Sequence, residues 1–497
     1  MIFIYLISGL FLGWSLGAND TANIFGTAVG SKMVKFKTAA IIASIFVILG
    51  AVISGTGAAH TLGKLGDVNA IGGAFTVALA AAISVTWMTK LKLPVSTSQA
   101  IVGAIIGWNF FSNFVTDVNS LKKIVSTWIF CPILTAIFAF ILFKITQKCL
   151  NKAKIHLLSL DLYTRISLIL VGAFGAYSLG ANNIANVMGV FITSSPFKNI
   201  NIGNLFVLTS TQQLFLIGAI AISLGIITYS KKVMMTVGNE LFKLSPVTAL
   251  IVVLSESLVL FIFSSSSIAN FISSIGLPPL PLVPVSSSQA VVGGVIGIGV
   301  AKGVKGINFK LLGKIASGWV LTPIIAGGIS FISLFFMQNV FQTQVYKPIT
   351  YIISENLLIE LKNKYNLDDS TISKLKQLQN KNYTNAIRLK SYIENKANIQ
   401  SSMAVKIIKL AKADSIYIDS SYAKLVLTPS LFSENQIKAV KSLHGKLFLH
   451  KWELEKALMQ ISKEWQYKPA LPQNIHYNKL LKEKYNYLFE KFKKSQY

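Results

Sequence analysis

The sequence predicts an all-α polytopic membrane protein followed by a helical soluble domain, and three observations support this fold class. Of the 497 residues, 52% are hydrophobic and only 13% are charged, whereas an average soluble protein has about 25% charged residues. Uncharged runs that reach the roughly 20 residues needed to cross a bilayer recur along the chain. Two polar motifs also occur twice in the same order, which predicts two related membrane repeats.

The uncharged runs predict the membrane-spanning elements in order. Residues 1–16 have no basic residue ahead of their apolar stretch, which favours a retained helix over a cleaved signal peptide. The later runs include two, 199–230 and 257–301, that are too long for single straight spans. The complete later series is 38–59, 68–89, 124–143, 166–192, 199–230, 257–301 and 315–346.

A change in composition near Tyr346 marks a domain boundary. Only six of the nineteen Asp and Glu residues precede it, and twenty-six of the forty-seven Lys and Arg residues follow it. We therefore expect a first membrane repeat at 1–150, a second at 151–345 and a basic helical soluble domain of unassigned role at 346–497. The basic connector at 144–165 predicts a cytoplasmic loop between the repeats.

Short amphipathic helices are predicted beyond Tyr346. Apolar residues recur at helical spacing at 353–361, and again at 437–447 behind a capping box formed by Ser433 and Gln436. The net charge of +28 could suggest nucleic acid, but the lysines are spread over several helices. A solvated basic surface is the simpler interpretation, anionic lipid headgroups are the alternative partner, and no nucleic acid is predicted.

The first duplicated motif reads GANDTAN at 17–23 and GANNIAN at 180–186. Gly17 can relax helical geometry and the following polar residues can satisfy freed backbone groups, which predicts a broken helix. An acid inside a membrane segment costs a few kcal/mol, so Asp20 needs a partner such as sodium, a proton or a polar cavity. The alternative is that the small residues only let helices pack closely. The candidate cation-binding or coupling residues are Asn19, Asp20, Asn23, Asn182, Asn183 and Asn186.

The second duplicated motif reads PVSTSQ at 94–99 and PVSSSQ at 284–289. Proline suits the first turn of a helix, and the hydroxyl and amide side chains that follow can cap it. Exposed N–H groups and the positive end of the helix dipole make such an N-terminus a site for anions. An ordinary proline-initiated membrane helix is the alternative. The candidate anion-binding residues are Ser96, Thr97, Ser98, Gln99, Ser286, Ser287, Ser288 and Gln289.

The two motifs together predict a secondary transporter. Repeated halves with interrupted apolar segments at matching positions indicate a substrate site where the halves meet. Donors for an oxyanion would lie beside oxygen ligands for a coupling cation, and each ion could then favour binding of the other.

These paired motifs resemble the inorganic phosphate transporter family, whose members take up phosphate with sodium ions or protons. The resemblance covers residues 1–345 and implies an inverted repeat, re-entrant hairpins at the PVS segments, a site between the halves and a homodimer in the cell membrane. It departs from the family at Asn183, where the family has Asp, and at Val47, where the family has Glu. Glu256 resembles an acid that the family places before the second hairpin. Its role is either a cation or proton relay or that of a buried Glu capped by neighbouring helices.

The substrate and the protein class each leave alternatives open. The family also contains sulfate permeases, but the proton of monohydrogen phosphate needs an acceptor, which Asp20 could supply. An uncoupled anion channel would not need that acid, and a receptor or scaffold would depend on its basic tail. The sequence before residue 346 has two histidines and no nucleophile elbow or HExxH motif, which counts against a membrane enzyme. We expect no cofactor beyond the transported ions.

Overall fold

A computed structural model describes residues 2–90, 95–153, 155–202, 206–236, 244–277, 280–303, 309–428, 431–469, 471 and 474–493. It divides into two compact units, of which the first comprises Met1–Ala269 and Pro278–Lys347 and the second Asn270–Leu277 and Pro348–Tyr497. Pro94 of the second motif lies outside the described residues.

Helices account for most of the first unit. In chain order they are α1 (Ile2–Gly30), α2 (Phe36–Ser54), α3 (Thr56–Leu65), α4 (Ile71–Lys90), α5 (Thr97–Ser112), α6 (Val118–Ala153), α7 (Leu157–Met188), α8 (Ser210–Thr228), α9 (Ser230–Thr236), α10 (Pro246–Ser264), α11 (Ser266–Ser274), α12 (Ser287–Ala301) and α13 (Phe309–Asn339). Within the described residues, seven of them are long and apolar enough to cross a membrane: α2, α4, α6, α7, α8, α10 and part of α13.

The second unit is a separate helical domain with its own core. Its helices are α14 (Glu355–Tyr365), α15 (Asp369–Lys376), α16 (Ala386–Ala397), α17 (Ser401–Ala411), α18 (Ser420–Val426), α19 (Glu434–Lys441), α20 (Lys451–Ile461) and α21 (Ile475–Phe492). Trp465 and Tyr485 are fully buried at the centre of one apolar cluster. The predicted capping box is confirmed, since Ser433 and Gln436 cap α19 reciprocally.

Two small sheets modify the all-α prediction. Strands β1 (Ile200–Ile202) and β2 (Phe206–Leu208) form an antiparallel pair ahead of α8, and β3 (Ile416–Tyr417) pairs with β4 (Leu447–Phe448) in the second unit. The uncharged run at 199–230 is therefore part strand and part helix. The described chain is mostly helical, and the two overlong runs do divide as expected.

The predicted break in the first motif is wrong. Helix α1 continues through Gly17, and α7 continues through Gly180 as far as Met188. A Cβ atom at Gly17 would lie 2.0 Å from the carbonyl oxygen of Ile222, and one at Gly180 would lie 2.2 Å from that of Val47. Both glycines therefore serve close helix packing and leave the hydrogen-bonded helix intact.

These contacts interleave the two halves of the membrane unit. Gly17 places α1 against α8, whereas Gly180 places α7 against α2, so the first helix of each half packs on the second helix of the other. The later helices repeat this exchange. A Cβ atom at Gly103 of α5 would lie 2.1 Å from the Pro323 carbonyl oxygen of α13, and one at Gly293 of α12 would lie 2.2 Å from that of Pro132 in α6.

Candidate functional site

Two short helices begin inside the protein. Helix α5 has 16 residues and α12 has 15, lengths of about 22 to 24 Å that fall short of the roughly 30 Å hydrocarbon core. Ser96 caps α5 by accepting from the Gln99 backbone N–H at 3.3 Å, and Ser286 caps α12 by accepting from Gln289 at 3.3 Å. Both caps are 2% exposed. The positive ends of two helix dipoles therefore lie in the interior.

The two helix starts bond directly to each other. The Ser98 hydroxyl donates to the Val285 carbonyl oxygen at 3.2 Å, and the Ser288 hydroxyl donates to the Val95 carbonyl oxygen at 3.1 Å. Ser98 and Ser288 occupy equivalent positions in the two PVS motifs, as do the two valines. The reciprocal bonds join the two repeats at this level. Sequence reasoning missed the valines because a backbone carbonyl has no side-chain signature.

The asparagines of α1 and α7 reach these helix starts from opposite repeats. The Asn23 amide donates to the Ser287 hydroxyl at 2.9 Å, and the Asn186 amide donates to the Ser98 hydroxyl at 2.8 Å. Asn23 and Asn186 are equivalent in the two copies of the first motif. The structure therefore brings the predicted cation-binding and anion-binding residues together across the repeat boundary.

Asp20 sits within a chain of amides. Its carboxylate is 8% exposed and accepts from the Asn183 amide at 3.4 Å. The Asn183 side-chain oxygen in turn accepts from the amides of Asn182 and Asn186, both at 3.0 Å. The Ser287 hydroxyl also faces the Asp20 carboxylate. The acid thus lies beside the N-terminus of α12, where both a cation and the anion it accompanies could be held.

The first asparagine of the motif behaves differently in its two copies. Asn182 clamps the segment before α12: its amide donates to the Val285 carbonyl at 2.8 Å, and its oxygen accepts from the Val285 N–H at 3.0 Å. The Asn19 amide instead donates to Ser15 of its own helix at 2.9 Å. Within the described residues, no side-chain hydrogen bond therefore joins Asn19 to the other candidates.

Glu256 is a second buried acid near the site. It is 0% exposed on α10, and neither carboxyl oxygen has a hydrogen-bond partner among the described residues. It lies close enough to Asp20 for the two carboxyl groups to interact electrostatically. A buried acid without hydrogen bonds is costly unless a proton or cation neutralises it. Within the same described residues, no group of three or more His, Cys, Asp or Glu side chains is placed to hold a metal ion.

Thr97 completes the set of predicted anion-binding residues. It is 3% exposed at the start of α5, and Gln99 and Gln289, in the first turns of α5 and α12, are each 2% exposed. The eight predicted anion-binding residues therefore all belong to two buried helix starts. Their donors are uncharged, and Asp20 and Glu256 are the acidic groups that lie nearby.

Comparison with known proteins identifies a family and relatives that this chain resembles. A model of the phosphate transporter family matches residues 16–274 and 281–461. The chain is 32% identical over 328 residues to a protein of Methanocaldococcus jannaschii named as a phosphate permease, covering 66% of this chain and 95% of that one. It is also 29% identical over 344 residues to the sulfate permease CysP of Bacillus subtilis, covering 66% and 87% of the two chains.

A solved structure shows a similar fold. The structure of a sodium-dependent phosphate transporter aligns with a TM-score of 0.53 at 24% sequence identity, covering 68% of this chain and 98% of that one. About two thirds of this chain therefore has a fold similar to one already observed in a solved structure.

Proposed function

Because this chain belongs to the phosphate transporter family, we propose that it carries inorganic phosphate across a membrane together with a cation, by alternating access. It is a multi-pass membrane protein and not an enzyme. The observation that carries the proposal is the convergence of Asp20, Asn23 and Asn186 on the helix starts at Ser98 and Ser287.

In this proposal the anion binds at the starts of α5 and α12. Backbone N–H groups and serine hydroxyls at two facing helix N-termini can surround a tetrahedral oxyanion without any basic side chain. Binding there would compete with the bonds from Ser98 to Val285 and from Ser288 to Val95. Separation of these bonds would open the site, and their return would close it, as alternating access requires.

Asp20 is the proposed coupling residue. A sodium ion would take oxygen ligands from the carboxylate and the neighbouring side-chain amides, whereas a proton would reside on the carboxylate itself. Either ion would lower the cost of placing an anion beside Asp20, because opposite charges attract strongly in a low-dielectric site. The relative with a solved structure is described as sodium-dependent, which makes sodium the first ion to test. Glu256 is proposed as a second protonated or cation-bound group.

Sulfate is the competing substrate. The similarity to a sulfate permease and the neutral Asn183 facing Asp20 both favour testing it. Proteoliposomes containing the purified chain should take up labelled phosphate when an inward sodium or proton gradient is imposed. Replacing sodium with potassium identifies the ion, and excess sulfate as competitor ranks the substrates. Uptake that ignores both gradients would indicate a channel.

The proposal also covers membrane topology and oligomeric state. We propose that the two halves insert in opposite orientations, that α5 and α12 form re-entrant hairpins, and that two chains associate as a homodimer. The short lengths and buried starts of α5 and α12 support the hairpins. Cysteine labelling from each side of sealed vesicles tests the orientation, and crosslinking in membranes tests the dimer. Residues 346–497 are proposed to act as a separate soluble domain.

A further inference from the structure

A third duplicated motif lies outside the site described above. The sequence STWIFCP at 126–132 in α6 matches SGWVLTP at 317–323 in α13, and the two copies are separated by 191 residues. Each copy places a tryptophan one helical turn before a proline inside a helix. Trp128 and Trp319 are therefore equivalent residues of the two repeats.

Helix packing brings each tryptophan level with a glutamine of the candidate site. A Cβ atom built at Gly293 of α12 would lie 2.2 Å from the Pro132 carbonyl oxygen of α6. One built at Gly297 would lie 2.2 Å from the Ala136 carbonyl oxygen. Because the contacting residues advance by four in the same direction along both helices, α12 and α6 run parallel. One turn closer to the N-terminus of each helix, Gln289 of α12 therefore lies level with Trp128 of α6.

The other repeat has the same register. Would-be Cβ atoms at Gly103 and Gly107 of α5 lie 2.1 and 2.4 Å from the carbonyl oxygens of Pro323 and Gly327 in α13. One turn earlier, Gln99 is level with Trp319.

A separate contact supports the placement beside the start of α12. The Cys131 thiol donates to the Ser286 carbonyl oxygen at 3.8 Å, so the stretch of α6 that carries Trp128 reaches the cap of α12. The turn of α6 that carries Trp128 therefore lies beside the proposed anion site, and the register of α5 with α13 puts Trp319 level with Gln99.

All four of these side chains carry a buried polar atom without a partner. The indole Nε1 atoms of Trp128 and Trp319 and the amide Oε1 atoms of Gln99 and Gln289 have no hydrogen-bond partner among the described residues. An indole N–H is only a donor, and an amide oxygen is only an acceptor. Burying either group alone costs about 1–3 kcal/mol. The same complementary pair is left unsatisfied in both repeats, which points to a ligand that needs one donor and one acceptor.

We propose that Trp128 with Gln289, and Trp319 with Gln99, form two equivalent subsites that recognise a protonated tetrahedral oxyanion. The indole N–H donates to an unprotonated oxygen of the anion, and the amide oxygen accepts the proton of a P–OH group. Phosphate near neutral pH carries such a proton and sulfate carries none. The pairs therefore favour phosphate over sulfate by one hydrogen bond, because a sulfate oxygen would place an acceptor against the acceptor oxygen of the amide. This inference rests on the proposed phosphate transport.

Two kinds of substitution test the donor role of the tryptophans and the acceptor role of the glutamines individually. Trp128→Phe and Trp319→Phe keep an aromatic ring and remove the N–H, so phosphate and sulfate should both bind about tenfold more weakly. Gln99→Met and Gln289→Met remove the acceptor, so phosphate should weaken about tenfold while sulfate changes little, and the preference for phosphate should fall. The measurement is inhibition of labelled phosphate uptake in proteoliposomes by unlabelled phosphate and by sulfate.

Matched variants control for nonspecific effects. Trp87→Phe changes an indole that is 53% exposed on α4, and Gln213→Met changes an amide that bonds to backbone carbonyls near β2; both should transport as wild type. A second measurement needs no variant to transport: the ultraviolet resonance Raman band of the indole N–H should shift when phosphate is added, and less so in Trp128→Phe. The shift of this band in the wild-type protein reports that phosphate binds near an indole.

Several outcomes would overturn the inference. Unchanged affinities in both tryptophan variants would remove the indoles from the site. Equal losses for phosphate and sulfate in the glutamine variants would show that the amides act only as donors. Wild-type protein that takes up no phosphate would contradict the proposed function and this inference together, whereas normal wild-type uptake with unaffected variants would contradict this inference alone.

Discussion

Asp20 is the residue on which ion coupling depends. Its carboxylate accepts from Asn183 and lies beside the start of α12. Asp20→Asn keeps the size of the side chain but removes the negative charge, so we expect cation-driven phosphate uptake to be lost while the protein remains folded. The measurement is uptake into proteoliposomes with and without an ion gradient, alongside thermal unfolding in detergent.

An exposed aspartate provides the control for this change. Asp161 pairs with Arg165 on the surface of α7 at 2.8 Å, and surface pairs of this kind contribute about 0–1 kcal/mol. Asp161→Asn should therefore transport as wild type. Normal cation-dependent uptake by Asp20→Asn would refute the role given to that carboxylate.

The capping serines should contribute to anion binding. Ser96→Ala and Ser286→Ala each remove the side-chain cap of a buried helix start, which costs about 1 kcal/mol of stability, and also remove a hydroxyl near the proposed anion. A lost net hydrogen bond of about 1.5 kcal/mol should raise the apparent Kd for phosphate roughly tenfold. Equilibrium binding of labelled phosphate to the purified protein measures the change.

A serine with a purely local bond separates binding from stability. Ser84 is fully buried on α4 and donates to the Ala80 carbonyl of its own helix at 2.7 Å. Ser84→Ala should leave the Kd for phosphate unchanged. If Ser96→Ala, Ser286→Ala and Ser84→Ala all bind phosphate equally well, the anion binds elsewhere.

Residue types in the duplicated motifs predict most of the candidate site but not its pairings. Asp20, Asn23 and Asn186 lie where the motifs place them, because side chains one turn apart share a helix face. Asn19 differs because its amide bonds to its own helix, a local alternative open to any asparagine. Trp128 and Trp319 were not predicted because a tryptophan in an apolar helix usually only packs. Their shared spacing to a proline is the sequence signal that could have found them.

Glycine packing decides the course of the longest helices. Since a Cβ atom at Gly17 would lie 2.0 Å from the Ile222 carbonyl oxygen, Gly17→Ala must push α1 away from α8. Overpacking of this kind costs about 1–3 kcal/mol. We expect a lower unfolding temperature in detergent and reduced uptake, because the displaced segment carries Asp20.

A glycine without neighbours provides the matched control. Gly328 lies inside α13, and apart from its chain neighbours and the backbone of its own helix, no atom of the described residues lies within 4 Å of a Cβ built there. Gly328→Ala should leave the unfolding temperature unchanged or raise it slightly, since alanine favours the helix. If Gly17→Ala is equally harmless, the helices do not rely on this close approach.

Apolar runs predict the existence of elements better than their type. The run at 199–230 gives no sign of β1 and β2, because a short apolar stretch suits a strand and a buried helix equally well. Helix α6 extends to Ala153, well past the end of its uncharged run at residue 143. Lys144 explains part of this extension, since its ammonium donates to the Ala301 carbonyl at the end of α12 at 3.0 Å. Such a tertiary contact cannot be seen in a hydropathy pattern.

At the scale of the whole molecule, duplication in the sequence does not show how the halves are joined. The glycine contacts exchange helices between them, so that α1 packs on α8 and α7 packs on α2. Each half on its own would expose those close-packed surfaces. The interleaving also explains why the site forms only at the boundary, where α1 of one half meets the start of α12 from the other.

A short strap fastens the end of the membrane unit to its first half. The Trp108 indole donates to the Val345 carbonyl at 3.0 Å, and the Asn69 side-chain amide donates to the Lys347 carbonyl and accepts from the Lys347 N–H, both at 2.8 Å. Gly73 leaves room for this segment, because a Cβ atom there would lie 2.1 Å from the Val345 oxygen. Trp108 belongs to α5, so the strap holds the helix whose first turn forms half of the proposed anion site.

Two truncations separate the strap from the C-terminal domain. A chain ending at Lys347 keeps every bond of the strap, so we expect it to bind labelled phosphate like the full chain. A chain ending at Gln342 loses the bonds to Trp108 and Asn69, which should loosen α5 and weaken phosphate binding by about tenfold or more. Trp108→Phe in the full chain removes one of these bonds and should weaken binding by a smaller factor. Equal binding by both truncated chains would show that the strap plays no part in positioning α5, and loss of binding in the longer one would give residues 348–497 a direct role in transport.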